Sequence, residues 1–349
     1  MVHIPKLTVS EEDSLSFVET GLSAELNYQM APIDANYSQY LLFNPFIRSL
    51  DTLDFEENGL VLKAGSQLPF EGPKSIPDFT FFSSGGCGKV YLAGNKLFHE
   101  RGEEVLKLDL SSHLGNMNAY FSIRGGEVKN KMFQFSSFQK CRIYLIIQDF
   151  VSNEFLLVEY DFISSTLTKI PFDFANSEMD SHRLVFENGP NRVENLYFPY
   201  LSLNDSLLII SYPFFNRIST ITLESQIQND FDFKSNLFKN RKKIPLKSTV
   251  LKDLKEYLEV TYDWNSDVRF GPILRLNKTY WFRIVEGEDS KTISLELFSE
   301  NLKKIAEYDL RAIESNLGSF YFPFKGKIVF GVLNQGNEDF FRFHWVEIE

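Results

Sequence analysis

A histidine, two arginines, a tyrosine and an asparagine are the residues of this 349-residue chain best suited to holding a ligand. His182 and Arg183 stand a few residues before the pair Gly189-Pro190, and Arg192 stands just after it. Tyr212 ends a short apolar run downstream, and Asn44 ends a similar run near the start. Arginine offers a planar fork that grips a carboxylate through two bonds, and His, Tyr and Asn add single donors and acceptors that match sugar hydroxyls. Such a set recognises a ligand without by itself breaking a bond.

Sets that would react are weaker. The five histidines, His3, His99, His113, His182 and His344, show no metal-ligand spacing and no cysteine pair accompanies them, so neither a metal nor a cofactor is expected. Ser83-Ser84-Gly85-Gly86-Cys87-Gly88 invites a phosphate-loop reading but lacks the Lys-Ser/Thr ending and runs straight into a strand at Val90-Tyr91-Leu92. It reads as a hairpin turn, as does Gly125-Gly126. Glu286, Glu288 and Asp289 share one loop, whereas glycoside hydrolysis needs two carboxylates held across a substrate. Asn204-Asp205-Ser206 and Asn277-Lys278-Thr279 are turn sequences before strands.

Charge narrows the partners. With 36 basic and 47 acidic residues the net charge is −11, which repels polyanions and argues against nucleic acid. The densest basic run, Arg241-Lys242-Lys243, lies among Asn236, Asn240 and Lys247 and reads as a solvated loop. No stretch approaches the roughly 18 apolar residues of a membrane helix. Met1-Val2-His3-Ile4-Pro5 has no secretory character, so the chain as it stands reads as cytoplasmic. Cys87 and Cys141 fall in different units of the pattern described next and are expected to be free, partly buried thiols, which leaves the compartment open.

The elements that must position these residues are strands. Phe (35) and Tyr (15) favour sheets packed on both faces, and short apolar runs bounded by Asn, Asp, Gly, Ser and Pro recur from end to end. A central strand entered through a polar turn starts at 40, 90, 143, 207, 279 and 328, giving intervals of 50, 53, 64, 72 and 49 residues. That spacing suits a four-stranded blade with loop insertions. Third strands are expected at 48–55, 96–100, 155–162, 217–224, 292–298 and 341–348. Outer strands are expected at 60–63, 105–110, 167–172 and 302–310, with the fourth unit's blurred within 231–238. The last unit ends at Glu349 on its third strand, and residues 6–10 are expected to complete it. Apolar residues at helical spacing behind Ser248 predict a short helix over 248–259, with an extra strand as the alternative, inside an insertion at about 232–264.

Three Gly-Pro pairs, Gly72-Pro73, Gly189-Pro190 and Gly271-Pro272, are expected to form stiff turns entering innermost strands. Tyr40-Leu41-Leu42-Phe43-Asn44 with Ile47 and Leu50-Asp51, the stretch 68–76 around Glu71-Gly72-Pro73, and 207–212 with Pro213 resemble the uncharacterised six-bladed, NHL-like propellers of Bacteroidetes, many of them lipoproteins. The resemblance implies a cell-envelope location and brings no agreed activity.

The reading is therefore all-β: one six-bladed β-propeller over 1–349, with seven blades, or two β domains split near 234–248, as alternatives. It is expected to be a monomer that binds a protein, peptide or carbohydrate without catalysis. The face bearing Asn44-Pro45-Phe46, 148–153, 212–216, 286–288 and 334–337 is the expected binding surface. The alternative function is a hydrolase or lyase acting on a carbohydrate or small molecule at the channel mouth, with carboxylates or His182 as acid or base.

Overall fold

Alternation of apolar and polar residues sets the strands. In Phe155–Asp161 the side chains of Phe155, Leu157, Val158 and Tyr160 are buried while Glu159 and Asp161 reach the surface. The computed structural model describes residues 5–16, 29–34, 36–44, 47–56, 59–77, 81–85, 87–93, 96–113, 136–137, 141–148, 154–195, 198–204, 206–245, 250–287, 292–333 and 340–349. Pro45, Phe46, Gly86, Gly125, Gly126, 149–153, Asp205, Glu288, Asp289 and 334–337, named above, lie outside the described residues.

The chain is mostly strand, arranged in antiparallel sheets. Sheet I is Gln29–Pro32, Tyr40–Asn44, Ser49–Glu56 and Gly59–Gln67, and sheet II is Phe81–Gly85, Gly88–Ala93, Lys96–Arg101 and Glu104–Asp109. Sheet III is Ser136–Ser137, Arg142–Gln148, Phe155–Asp161 and Thr166–Ile170. Sheet IV is Tyr200–Asn204, Leu207–Ser211, Arg217–Thr222 and Gln228–Asp232, and sheet V is Arg269–Arg275, Tyr280–Glu286, Ile293–Ser299 and Lys304–Asp309. Sheet VI joins Leu317–Phe324, Lys327–Val332 and Phe340–Ile348 to the N-terminal strands Leu7–Val9 and Asp13–Ser16, both antiparallel to Phe340–Ile348.

Burial falls from the second strand of a sheet to its fourth. Leu207–Ser211 and Tyr280–Glu286 are almost wholly buried, whereas Glu104–Asp109, Thr166–Ile170 and Gln228–Asp232 are largely exposed. Sheets consecutive in the chain pack face to face through shared apolar clusters. Phe43, Phe82 and Tyr91 join I to II, Val90, Leu92, Ile143 and Leu145 join II to III, and Tyr144, Leu157, Leu208 and Ile210 join III to IV. Ile209, Ile218, Ile273 and Trp281 join IV to V, and one large cluster runs from Leu274 and Phe282 through Phe322 and Phe330 to Tyr40 and Leu42. The Tyr40 hydroxyl also donates to the Pro323 carbonyl, tying sheet I to sheet VI.

Four sequence expectations are corrected. Cys87 and Cys141 form a disulfide, with Cα atoms 5.4 Å apart. Each sits in the turn before the second strand of its own sheet, and the packing of II on III brings these equivalent turns together. The helix runs over Leu254–Asn265 rather than 248–259, because Asp253 caps it by accepting from the Glu256 amide (2.8 Å), while Val250–Leu251 is drawn into a strand. The fourth unit's outer strand is Gln228–Asp232, earlier than the blurred stretch suggested.

The Gly-Pro pairs do not share one register. Gly72 (φ 95°) lies in a bend before sheet II, and Gly189 (φ 58°) forms the tip of a hairpin. Gly271 sits inside Arg269–Arg275 at a register shift, where a Cβ would come within 2.8 Å of the Ile284 carbonyl oxygen. One dipeptide thus serves a loop, a hairpin tip and a close backbone approach.

The structure adds an accessory sheet of three strands. The connection from III to IV supplies the hairpin Leu184–Asn188 and Asn191–Asn195, and the connection from IV to V supplies Val250–Leu251, parallel to Leu184–Asn188. The helix Leu254–Asn265 packs beneath through Tyr257, which meets Leu184, Phe186 and Leu251.

Candidate functional site

Three chain segments interlock over sheet IV, and most of the residues singled out in the sequence gather there. The first is the loop 212–216 between the second and third strands, the second is 173–183 with its one-turn helix Asn176–Asp180, and the third is 239–243. Backbone bonds fasten them: the Lys242 amide donates to the Phe214 carbonyl (2.9 Å) and the Asn216 amide to the Asn240 carbonyl (2.9 Å).

His182 lies at the centre, fully buried. Its ring stacks on Phe214 (4.6 Å, 10°) and meets Phe215 edge-on (5.2 Å). Nδ1 faces the Glu178 carbonyl at 3.0 Å and Nε2 faces the Lys242 carbonyl at 3.2 Å. A neutral ring donates through one nitrogen only, so the two carbonyls favour the cation while burial, the larger influence, pushes its pKa below the ordinary histidine value. Tyr212 approaches the same Phe215 ring at 5.9 Å, and its hydroxyl is shared with Ser219 Oγ at 3.0 Å. Arg183 is buried and donates to Asp180 at 3.3 Å.

The other two stand apart. Arg192 is exposed on the accessory hairpin and pairs with Glu187 at 3.0 Å. Asn44 is buried in sheet I, where its Oδ1 accepts from the Ile47 amide at 3.4 Å.

Sequence reasoning missed the charges that brace this junction. Glu178 receives Arg217 (3.1 Å) and Arg241 (2.9 Å), and both guanidinium groups lie over the Phe215 ring. Lys242, in the run taken for a solvated loop, is 2% exposed. Its Nζ donates to the carbonyls of Asp267 (3.1 Å) and Val268 (3.4 Å) and lies 5.1 Å from the Trp264 ring centre. Burial holds this amine down to about 7. The Asp267 charge opposes the fall, and Arg269 and Lys243 deepen it.

A second polar group is buried between sheets IV and V. Arg283 and Glu296 are both fully buried and directly opposite in the ladder, with Arg283 Nε donating to Glu296 Oε2 at 2.7 Å. Asn216 accepts from Arg283, and Lys304 reaches Glu296 at 2.7 Å and Glu307 at 2.6 Å. The rings of Phe233, Phe270 and Phe298 surround the guanidinium at 5.3–5.7 Å. A signal existed here: Arg283 and Glu296 are opposite charges embedded in the apolar strands Tyr280–Glu286 and Ile293–Ser299.

Chemically, the junction holds shape. The ring nitrogens of His182, the hydroxyl of Tyr212 and the amine of Lys242 all face partners within the protein.

No protein-family model matches the chain, and no curated protein does. Among solved structures, a DUF4221-family member from Bacteroides vulgatus aligns with a TM-score of 0.71 at 12% identity, over 100% of this chain and 99% of its own. A protein from Bacteroides fragilis aligns with a TM-score of 0.56 at 10% identity, over 98% and 95%. At these identities the likeness is one of fold.

Proposed function

We propose that the chain is a closed six-bladed β-propeller that binds a protein partner without catalysis, using the face that carries the accessory sheet. The unbroken succession of shared apolar clusters from sheet I through VI and back to I supports a single ring. Two inter-sheet connections that meet in an accessory sheet support that face as the working one.

The observation that carries the binding reading is a row of exposed apolar side chains on the accessory helix. Leu254, Leu258 and Tyr262, at four-residue spacing, are 53, 57 and 76% exposed, and Val193 of the hairpin is exposed as well. Of the five candidate residues, His182, Arg183 and Tyr212 stiffen the platform, Arg192 stands where a partner could be touched, and Asn44 shapes its own hairpin. Leu254→Ser combined with Tyr262→Ser should abolish capture of a partner from the source cell extract while leaving the unfolding midpoint unchanged. Retained capture would reject this face.

The disulfide adds a compartment. A cross-link between neighbouring sheets persists in an oxidising environment, so the chain is proposed to work outside the reducing cytosol. Thiol titration of the freshly purified, denatured protein should find two groups only after reduction.

A further inference from the structure

Away from the accessory helix, a cleft of about 620 Å³ opens between the outer strands of sheets IV and V. It is lined by Phe231, Asp232, Phe233 and Lys234 on one side and by Asn301, Leu302, Lys303 and Lys304 on the other. That volume suits a ligand of a few residues.

Its charge is unbalanced. The cleft's one acid, Asp232, is already neutralised by Arg217 at 2.9 Å. Lys304 is held between Glu296 and Glu307. Lys234 and Lys303 are exposed and have no carboxylate partner among the described residues. Two uncompensated cations therefore face one opening in a chain whose net charge is −11. Beside them Phe231 is 37% exposed, and Phe233 and Leu302 supply an apolar floor.

The backbone offers a third element of recognition. Gln228–Asp232 is the edge strand of sheet IV and Lys304–Asp309 that of sheet V. Because the Phe233 amide turns inward to the Asn216 carbonyl (2.9 Å), the alternation of an antiparallel ladder points the Asp232 amide and carbonyl outward. An extended segment laid along this edge gains main-chain hydrogen bonds.

We infer that this cleft binds an extended acidic peptide segment. Its carboxylates meet Lys234 and Lys303, an apolar side chain rests on Phe231, and its backbone follows the edge at Asp232. A free carbohydrate would answer neither the charge nor the strand edge.

The test is a calorimetric titration of the full chain with a capped hexapeptide alternating Glu and Leu, against the same peptide with Gln for Glu, and against glutarate. The Glu peptide should bind, and the Gln peptide should bind roughly tenfold more weakly. The double variant Lys234→Glu, Lys303→Glu should lose roughly tenfold for the Glu peptide. Lys234→Gln, Lys303→Gln should lose less, and Leu254→Ser, Tyr262→Ser should bind it as the parent does. The last pair separates this cleft from the accessory face, so either can fail alone. No binding of the Glu peptide, equal binding of both peptides, or undiminished binding by the charge-reversed variant would overturn the inference. Glutarate binding as tightly as the peptide would overturn its peptide part.

Discussion

Lys242 shows how burial converts a surface-type residue into a structural one, and its titration gives a measurable sign. In the unfolded chain the amine stays protonated up to about 10.5, whereas in the folded chain it loses its proton near 7. Between these values the unfolded state binds more protons, so stability should rise with pH across that window, by a few kcal/mol in all. His182 has the same sign on the acid side: its pKa is depressed, so stability should fall as pH drops through the ordinary histidine range. Lys242→Met should flatten the rise between about pH 7 and pH 10 in urea unfolding curves. An unchanged slope would mean the amine is not desolvated.

Arg283 and Glu296 test the opposite case, a charge pair retained in the core. Glu296→Leu alone should cost about 3–5 kcal/mol, because it strands a buried guanidinium among three phenylalanines. Arg283→Met with Glu296→Leu should cost clearly less than the sum of the single changes in a double-mutant cycle. Additive losses would show that the pair is not coupled. This pair was legible as charges inside apolar strands, and Tyr212 and His182 were legible as unusual residues near turns. Lys242 was not, since a Lys-rich run carries no mark of the Trp264 ring and the two carbonyls that close over it.

Among the elements, the strands are legible in the sequence and their exceptions are not. Period-two alternation and bounding turns located the central strands to within about two residues, because side-chain burial follows directly from that period. The accessory sheet escaped because Leu184–Asn188 and Val250–Leu251 lie more than sixty residues apart, and no local pattern marks their pairing. The helix was shifted for a related reason: both Ser248 and Asp253 offer a cap, and only tertiary pairing of Val250–Leu251 decides between them. The Cys87–Cys141 bond likewise depends on sheet II lying on sheet III. With its two cysteines 54 positions apart in the chain, it should contribute about 4 kcal/mol. Cys87→Ser with Cys141→Ser should lower the guanidinium midpoint accordingly, and a loss below about 1 kcal/mol would argue that the bond is not formed in solution.

At the scale of the molecule, the proposal of one ring rests on sheet VI, which chain ends more than three hundred residues apart build together. Leu7 pairs with Ile348 and Val9 with Val346, while the Lys6 and Glu349 backbones exchange hydrogen bonds of 2.9 Å. A closed ring leaves no sheet free to unfold by itself, so loosening one sheet loosens all. The decisive measurement is equilibrium unfolding of the intact chain beside a variant lacking residues 1–12, followed by circular dichroism and tryptophan fluorescence. One coincident transition, shifted as a whole to lower denaturant in the shortened chain, is the predicted result. An unshifted midpoint, or two separate transitions in the intact chain, would contradict the single closed ring.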